Sequence, residues 1–163
     1  MEIVSELMLK KKYAVSDWAR IETMIRSATI CRLGFVNENY AYIVPLNFGY
    51  QGGILYFHTG PKGRKIDLIR ANPKVTFEID TEHTIKKGDN ACDWNMVYQS
   101  IMGRGVASFI TNREQKRQAL DIIMKQYSDK VWVFPDEKVA ITTLFQVQIQ
   151  SVSARSNHKK DII

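Results

Sequence analysis

Between Ile30 and Thr59 the chain carries three runs rich in Ile, Val, Tyr and Phe (Ile30–Val36, Tyr40–Tyr50, Gly53–Thr59), broken by Asn37-Glu38-Asn39 and Gln51-Gly52. β-Branched and aromatic runs separated by turn-forming residues predict a three-stranded meander. Pro45 interrupts the middle run. Because proline cannot donate to a ladder, the strand there lies at an edge, is bulged, or faces something other than a strand, a ligand being one candidate. Upstream, Trp18, Ile21, Met24 and Ile25 recur at helical spacing, which predicts an amphipathic helix over 17–27 with Ser16 or Asp17 as N-cap. Downstream, Arg64–Asn72 reads as a helix with Ile66, Leu68 and Ile69 inward, closed by Asn72-Pro73, and Lys74–Asp80 as a fourth strand. The polar stretch Thr81–Asn95 is expected to be a loop, either mobile or reaching a partner subunit. Val97–Ile110 is a long strand in which Gly103 and Gly105 mark a bend of the kind barrel corners need. Thr111-Asn112-Arg113-Glu114 has capping-box spacing and launches a helix to Tyr127 with Ala119, Ile122, Ile123 and Tyr127 on its apolar face. A last strand is expected from Thr143 to Ser153.

Six mostly sequential strands with helices early, midway and late predict a mainly β fold: a six-stranded antiparallel barrel with helices packed outside. A doubly wound sheet is disfavoured, since the first three strands are joined by turns too short for crossovers. With 163 residues the chain reads as a single domain (1–163), with a core of about 30–153 and a basic C-terminal tail at 154–163.

Composition narrows the function classes. A content of 45% hydrophobic and 25% charged residues is that of an ordinary globular protein, and no window approaches the ~20 apolar residues of a membrane span. Apolar residues precede Lys10–Lys12, the reverse of a secretory signal, so a cytoplasmic location without membrane attachment is expected. Cys31 and Cys92 offer no disulfide framework and His58, His83 and His158 are scattered, so neither a metal site nor a catalytic triad is expected. The net charge of +6 raises the question of nucleic acid, but the basic residues are dispersed among acidic ones rather than gathered in a stripe, and no nucleic-acid partner is expected.

The segment Tyr56–Asp67 carries the strongest chemical signal. A strand leads through a loop containing Gly60 and Gly63 into a helix that begins with Arg64 and Lys65. Glycines permit close backbone approach, and the first turn of a helix presents unpaired N–H groups, so the arrangement suits an anion such as phosphate. Thr59 adds a hydroxyl donor. A solvated surface turn would use the same residue types.

Taken together, Cys31–Val36, Tyr42-Ile43-Val44-Pro45-Leu46-Asn47-Phe48, Leu55–Thr59 with Gly63–Asp67, Asn72–Val75, and Tyr98-Gln99-Ser100 followed by Gly103-Arg104-Gly105 resemble, in order and spacing, a known family. It is that of the FMN-binding split barrels related to pyridoxamine 5′-phosphate oxidase, and within it the branch of 5-nitroimidazole resistance proteins. The resemblance runs from about 30 to 153. It implies a split barrel and a homodimer with FMN (or FAD, if the phosphate end opens to solvent) in a groove between subunits. Val44, Pro45, Leu46 and Asn47 would border the flavin ring, although Ile43, Leu46 and Phe48 would look the same as core packing. His58, Thr59, Arg64 and Lys65 would serve the phosphate and ribityl end, and Ser100 would add a hydroxyl from a later strand. The chain departs from the branch in having Ala41-Tyr42 for the usual Pro-Tyr and Ala154-Arg155 for the usual Gly-Lys. The substrate-gripping Arg and His of true pyridoxamine phosphate oxidases are not evident near its C-terminus. The implied activity is therefore flavin-dependent reduction of a small electrophile, for instance a nitro compound, using a small-molecule electron donor. A non-catalytic flavin- or haem-binding protein is the alternative. Trp94 and Trp132 are candidates to reach across a dimer, or simply pack locally.

Overall fold

The computed structural model describes the short strand β1 (Glu2–Ile3) and residues 13–158. The remaining strands are β2 (Ala14–Val15), β3 (Cys31–Asn37), β4 (Tyr40–Leu46), β5 (Gly49–Gln51), β6 (Ile54–Thr59), β7 (Lys74–Lys86), β8 (Asn95–Ile110) and β9 (Thr143–Ser156). The helices are α1 (Trp18–Ser27), α2 (Arg64–Ala71), α3 (Arg113–Lys125) and α4 (Asp136–Ile141). One sheet runs β4-β3-β7-β8-β9-β6-β5, with β1 and β2 added to β9. Every pairing is antiparallel except that of β1. The two ends of this path, β4 and β5, are separated in sequence only by Asn47 and Phe48, so the sheet curls into a barrel split at that corner.

The fold is thus the mainly β split barrel that was expected, with more strands than six. The run Tyr40–Tyr50 is two strands, because the chain leaves β3 after Leu46 and turns into the opposite end of the sheet. Thr81–Asn95 is part strand and part loop: β7 and β8 extend as a hairpin arm to Lys86↔Asn95, with residues 87–94 as the connection and a register shift between Thr81 and Thr84 where Glu82 takes a left-handed φ of 56°. A single 3₁₀ turn, Ala91–Asp93, closes the arm. The helix before β9 is α4, which the sequence reading did not include. The cap of α3 lies one residue later than the capping box placed it, with the Asn112 side chain accepting from Gln115 N–H at 3.0 Å. Asp17, one of the two caps considered, accepts from Arg20 N–H at 3.2 Å. Ala154–Ser156 belong to β9 rather than to a tail, and residues 159–163 lie outside the described residues, as do Lys10–Lys12.

Alternation builds the core. Cys31, Leu33 and Phe35 of β3, Val75, Phe77 and Ile79 of β7, and Val147, Ile149 and Val152 of β9 all point inward. Phe57 and Phe145 stack there with ring centroids 5.0 Å apart. The bend expected at Gly103 and Gly105 is present as a register shift in the β8–β9 ladder between Arg104 and Gly105. A Cβ on Gly103 would lie 2.8 Å from Ser151 O and closer still to the Phe77 ring, so only glycine lets these strands approach. Among the described residues no helix is long and apolar enough to cross a membrane. Also among them, no group of three or more His, Cys, Asp or Glu side chains is arranged to hold a metal ion.

Candidate functional site

Among the described residues β4 ends the sheet, so one of its backbone edges has no neighbouring strand there. Pro45 sits in this edge strand opposite Arg32, which is where a residue without an N–H is tolerated. Alternation sends Tyr42, Val44 and Leu46 against the core and leaves Ala41, Ile43, Pro45 and Asn47 outward. Of the four residues expected beside a ring, Val44 and Leu46 pack their side chains inward, and their pairing with Leu33 and Cys31 turns their backbone groups toward β3. Pro45 alternates with them, so its carbonyl faces the open edge, and both Pro45 and Asn47 expose their side chains.

The second part of the site is the start of α2. β6 ends in exposed His58 and half-buried Thr59, paired with Leu144 and Thr143, and a short exposed loop leads to Gly63. Gly63 has φ 136°, a backbone conformation that favours glycine, and no side chain caps the helix. The first helical donors are Ile66 N–H and Asp67 N–H, both to Gly63 O, at 2.9 and 3.4 Å. The N–H groups of Arg64 and Lys65 have no hydrogen-bond partner among the described residues, which is the usual condition of an anion-binding helix start. Arg64 is exposed, Lys65 half-buried, and the Arg64 guanidinium lies 5.4 Å from the Tyr42 ring centroid. That contact places the cationic end of α2 beside β4. Arg64 is thereby brought beside Tyr42, two residues before Val44 on β4; Lys65 follows it on α2, and Thr59 and His58 stand at the other end of the loop.

Ser100 is not part of this group within one subunit. The ladders align Val44, Leu33, Phe77 and Gly103 across four strands. Ser100 lies three residues further along β8, which over three strand spacings puts it roughly 17 Å from Val44 along the sheet surface. It stands instead between Asp80 and Arg155 on the outer face.

That outer face holds features the sequence reading did not assign. Gly34, Val36, Ile43, Thr76, Phe77 and Met102 line an open groove of about 510 Å³, bounded by Arg32 and Glu78 at one end and Lys74 at the other. Arg32 donates to Glu78 at 2.9 Å and also pairs with Asp80, whose other oxygen is 2.6 Å from His83 Nε2. Hydrogen bonds and charge from the two carboxylates push the Arg32 pKa further up, so it stays cationic. The alternation of β3 and β7 puts these side chains outward, but only the register brings them together. Cys31, by contrast, is buried, and burial drives its thiol pKa far up, so it is inert; Cys92 is exposed.

Comparison with known proteins agrees with the fold. Residues 17–156 match the family model described as pyridoxamine 5′-phosphate oxidase. A crystal structure of a candidate 5-nitroimidazole antibiotic resistance protein from Bacteroides thetaiotaomicron superposes with a TM-score of 0.78 at 34% identity, covering 86% of this chain and 84% of that one. The FAD and heme binding protein of Mycobacterium smegmatis has the same fold, with a TM-score of 0.79 at 14% identity over 92% of this chain and 78% of that one. An uncharacterized protein of Rhizobium meliloti is 36% identical over 56 residues, 34% of this chain, so the match spans 36% of that curated relative's length. With a family match over nearly the whole described chain and a solved relative at 34% identity, this protein belongs to the pyridoxamine 5′-phosphate oxidase-like family of split β-barrels.

Proposed function

We propose that the protein is an FMN-dependent oxidoreductase that reduces a small electrophile, with a nitro compound such as a 5-nitroimidazole as the substrate class. The observation that carries this reading is the adjacency of two sites of opposite character: the free edge of β4 at Pro45 and the uncapped, cationic start of α2. A flavin mononucleotide has this pair of needs, a planar ring with acceptors and an N–H along its rim and a phosphate at the end of a flexible chain. The open edge of β4 from Val44 to Asn47, with the Pro45 carbonyl facing outward, would hold the ring. The N–H groups and side chains of Arg64 and Lys65, with Thr59 and His58, would hold the phosphate and ribityl chain. Bound there, the cofactor supplies two-electron transfer from a small donor to the electrophile, which is why no triad or metal cluster is required of the chain. Gly60, Pro61 and Lys62 are exposed, so the phosphate end opens to solvent and FAD would also be accommodated.

The nitro-compound class is supported by the description of the Bacteroides relative. A homodimer is part of the proposal, because the outer face leaves Val36, Ile43 and Met102 between 51% and 64% exposed around its groove, apolar surface that a second copy would cover. Ser100 would then act near the partner's site rather than its own. The test is direct: purify the protein, identify released chromophore by mass spectrometry, reduce it anaerobically with a nicotinamide donor, and add a nitroimidazole. Bleaching followed by recovery of colour, with consumption of the nitro compound, is expected. A flavin that binds but does not turn over would leave a non-catalytic binding protein, and a colourless chain that neither flavin reconstitutes would overturn the cofactor assignment.

A further inference from the structure

Tyr127, two residues past the end of α3, makes a contact that the cofactor reading leaves unused. β3 and β4 pair in constant register from Asn37↔Tyr40 to Cys31↔Leu46, so Ile30 with Asn47 and Thr29 with Phe48 would be the next two pairs. The phenol of Tyr127 stands in place of the second. Phe48 N–H donates to its hydroxyl oxygen at 2.7 Å, and the hydroxyl donates to Thr29 C=O at 3.0 Å. A ladder bond spans one donor–acceptor distance; here two bonds in series hold the strands apart by the width of a hydroxyl, and neither backbone group is left without a partner. A phenol can do this because one oxygen both accepts and donates. Its neighbour Gln126 fixes the helix that carries it, donating from the side-chain amide to the carbonyls of Ile25, Arg26 and Ala28 at 3.0, 3.1 and 2.8 Å. α3 is thereby fastened to the end of α1, and the phenol is held in the gap.

We infer that Tyr127 is the positioning residue of the ring-binding strand. By prising Phe48 away from Thr29 it ends the β3–β4 ladder at Leu46 and turns the chain into β5. Val44 to Asn47 are thus held as a fixed edge that no other strand among the described residues covers. The inference rests on the proposed flavin contact at β4, and its consequence is specific. Tyr127 acts on the ring end of the site and Lys65 on the phosphate end, so the two should separate when FMN is compared with riboflavin.

The experiment titrates FMN and riboflavin into wild type, Tyr127→Phe, Lys65→Ala and Lys116→Met, which unties the far end of α3 from the Ala140 and Thr142 carbonyls, and records the bound flavin spectrum with each. Tyr127→Phe should weaken both ligands by the same factor, about tenfold for one lost bridging hydroxyl, and move the visible band. Lys116→Met should lower thermal stability while leaving both affinities and the band in place. If Tyr127→Phe binds both flavins as wild type does, or if Lys116→Met shifts them equally, Tyr127 only stabilises the fold and the inference is overturned. Amide exchange at Phe48 keeps the test separate from the cofactor reading: in wild type without ligand it should be slow, and in Tyr127→Phe fast. Slow exchange in both would show that the phenol is not the partner of that amide and would sink the wedge even if flavin binds; fast exchange in the variant alone supports the wedge even if no flavin binds.

Discussion

From β7 through β8 and β9 to β6 each strand has a neighbour on both edges, and the side chains between them include Phe57, Phe77 and Phe145, all essentially without exposure. From β4 to β5 the sheet is joined by Asn47, Phe48 and a phenol bridge, with Pro45 on an open edge. The first side derives its stability from buried aromatic area and a continuous ladder. The second surrenders ladder bonds and keeps backbone groups free, which a protein tolerates only where the remainder of the barrel supplies the stability. The contrast predicts that substitutions on the closed side act on folding and those on the split side act on ligand.

The largest effect should come from Phe57→Ala. Phe57 is fully buried and stacked on Phe145, so a cavity there should cost about 3–5 kcal/mol, read as a lower urea midpoint. An equal loss from truncating an outward residue of β4 would erase the distinction between the sides. Next is Lys65→Ala, which should leave stability nearly unchanged while weakening FMN tenfold to a hundredfold, about 1.5–3 kcal/mol for a charge-assisted phosphate contact. Riboflavin should be indifferent to it, and Lys130→Ala, at an exposed site, should do little to either ligand. Equal responses to the two lysines in fluorescence titrations would reduce the start of α2 to a solvated turn. Pro45→Ala should be smaller in stability, about 0.4–1 kcal/mol through the unfolded chain, yet should perturb the bound flavin spectrum because it adds an N–H to the open edge.

The smallest effect at neutral pH, and the sharpest at high pH, belongs to Tyr50. Its hydroxyl donates to the Glu22 carboxylate at 2.6 Å and accepts Gly53 N–H at 3.1 Å, anchoring the β5–β6 turn to α1. Burial, then the bond to Glu22, pushes its pKa up from 10.0 to about 12. A raised folded-state value means that this contribution is complete below pH 10 and is lost as pH climbs through 12. Thermal melts should therefore show a decline over that window that Tyr50→Phe abolishes. An unchanged slope in the variant would assign the decline to other groups.

Much of this was legible in the sequence because it is local. The meander, α1 and α2 announce themselves through alternation, helical spacing and caps within a dozen residues. Pro45 likewise marks an edge without reference to anything distant. What escaped depends on partners far along the chain. The corner at Asn47–Phe48 is made by Tyr127, 79 residues beyond Phe48, so the run Tyr40–Tyr50 reads as one strand. The arm from Thr81 to Asn95 is exposed on both faces and so shows no alternation, and α4 has only six residues, too few for a periodic signal. At the site, the glycine-rich loop and its cations declare their chemistry through residue type. The clustering of Arg32, Glu78, Asp80 and His83, and the distance of Ser100 from Val44, are matters of register that no single segment encodes.

β9 has a consequence for how the protein is made. Along one edge Leu144–Ser156 pairs with β8, and along the other the same strand receives β6, β2 and β1. Every one of those partners is synthesised earlier. Until the ribosome has released the chain past Ser156, β6 and β8 each present an open edge, and the nascent chain is a pair of unjoined sheets. Closure therefore waits until β9 has left the ribosome and then joins the two sheets in a single step that spans most of the described chain, and in the interval before it both edges are open to mispairing.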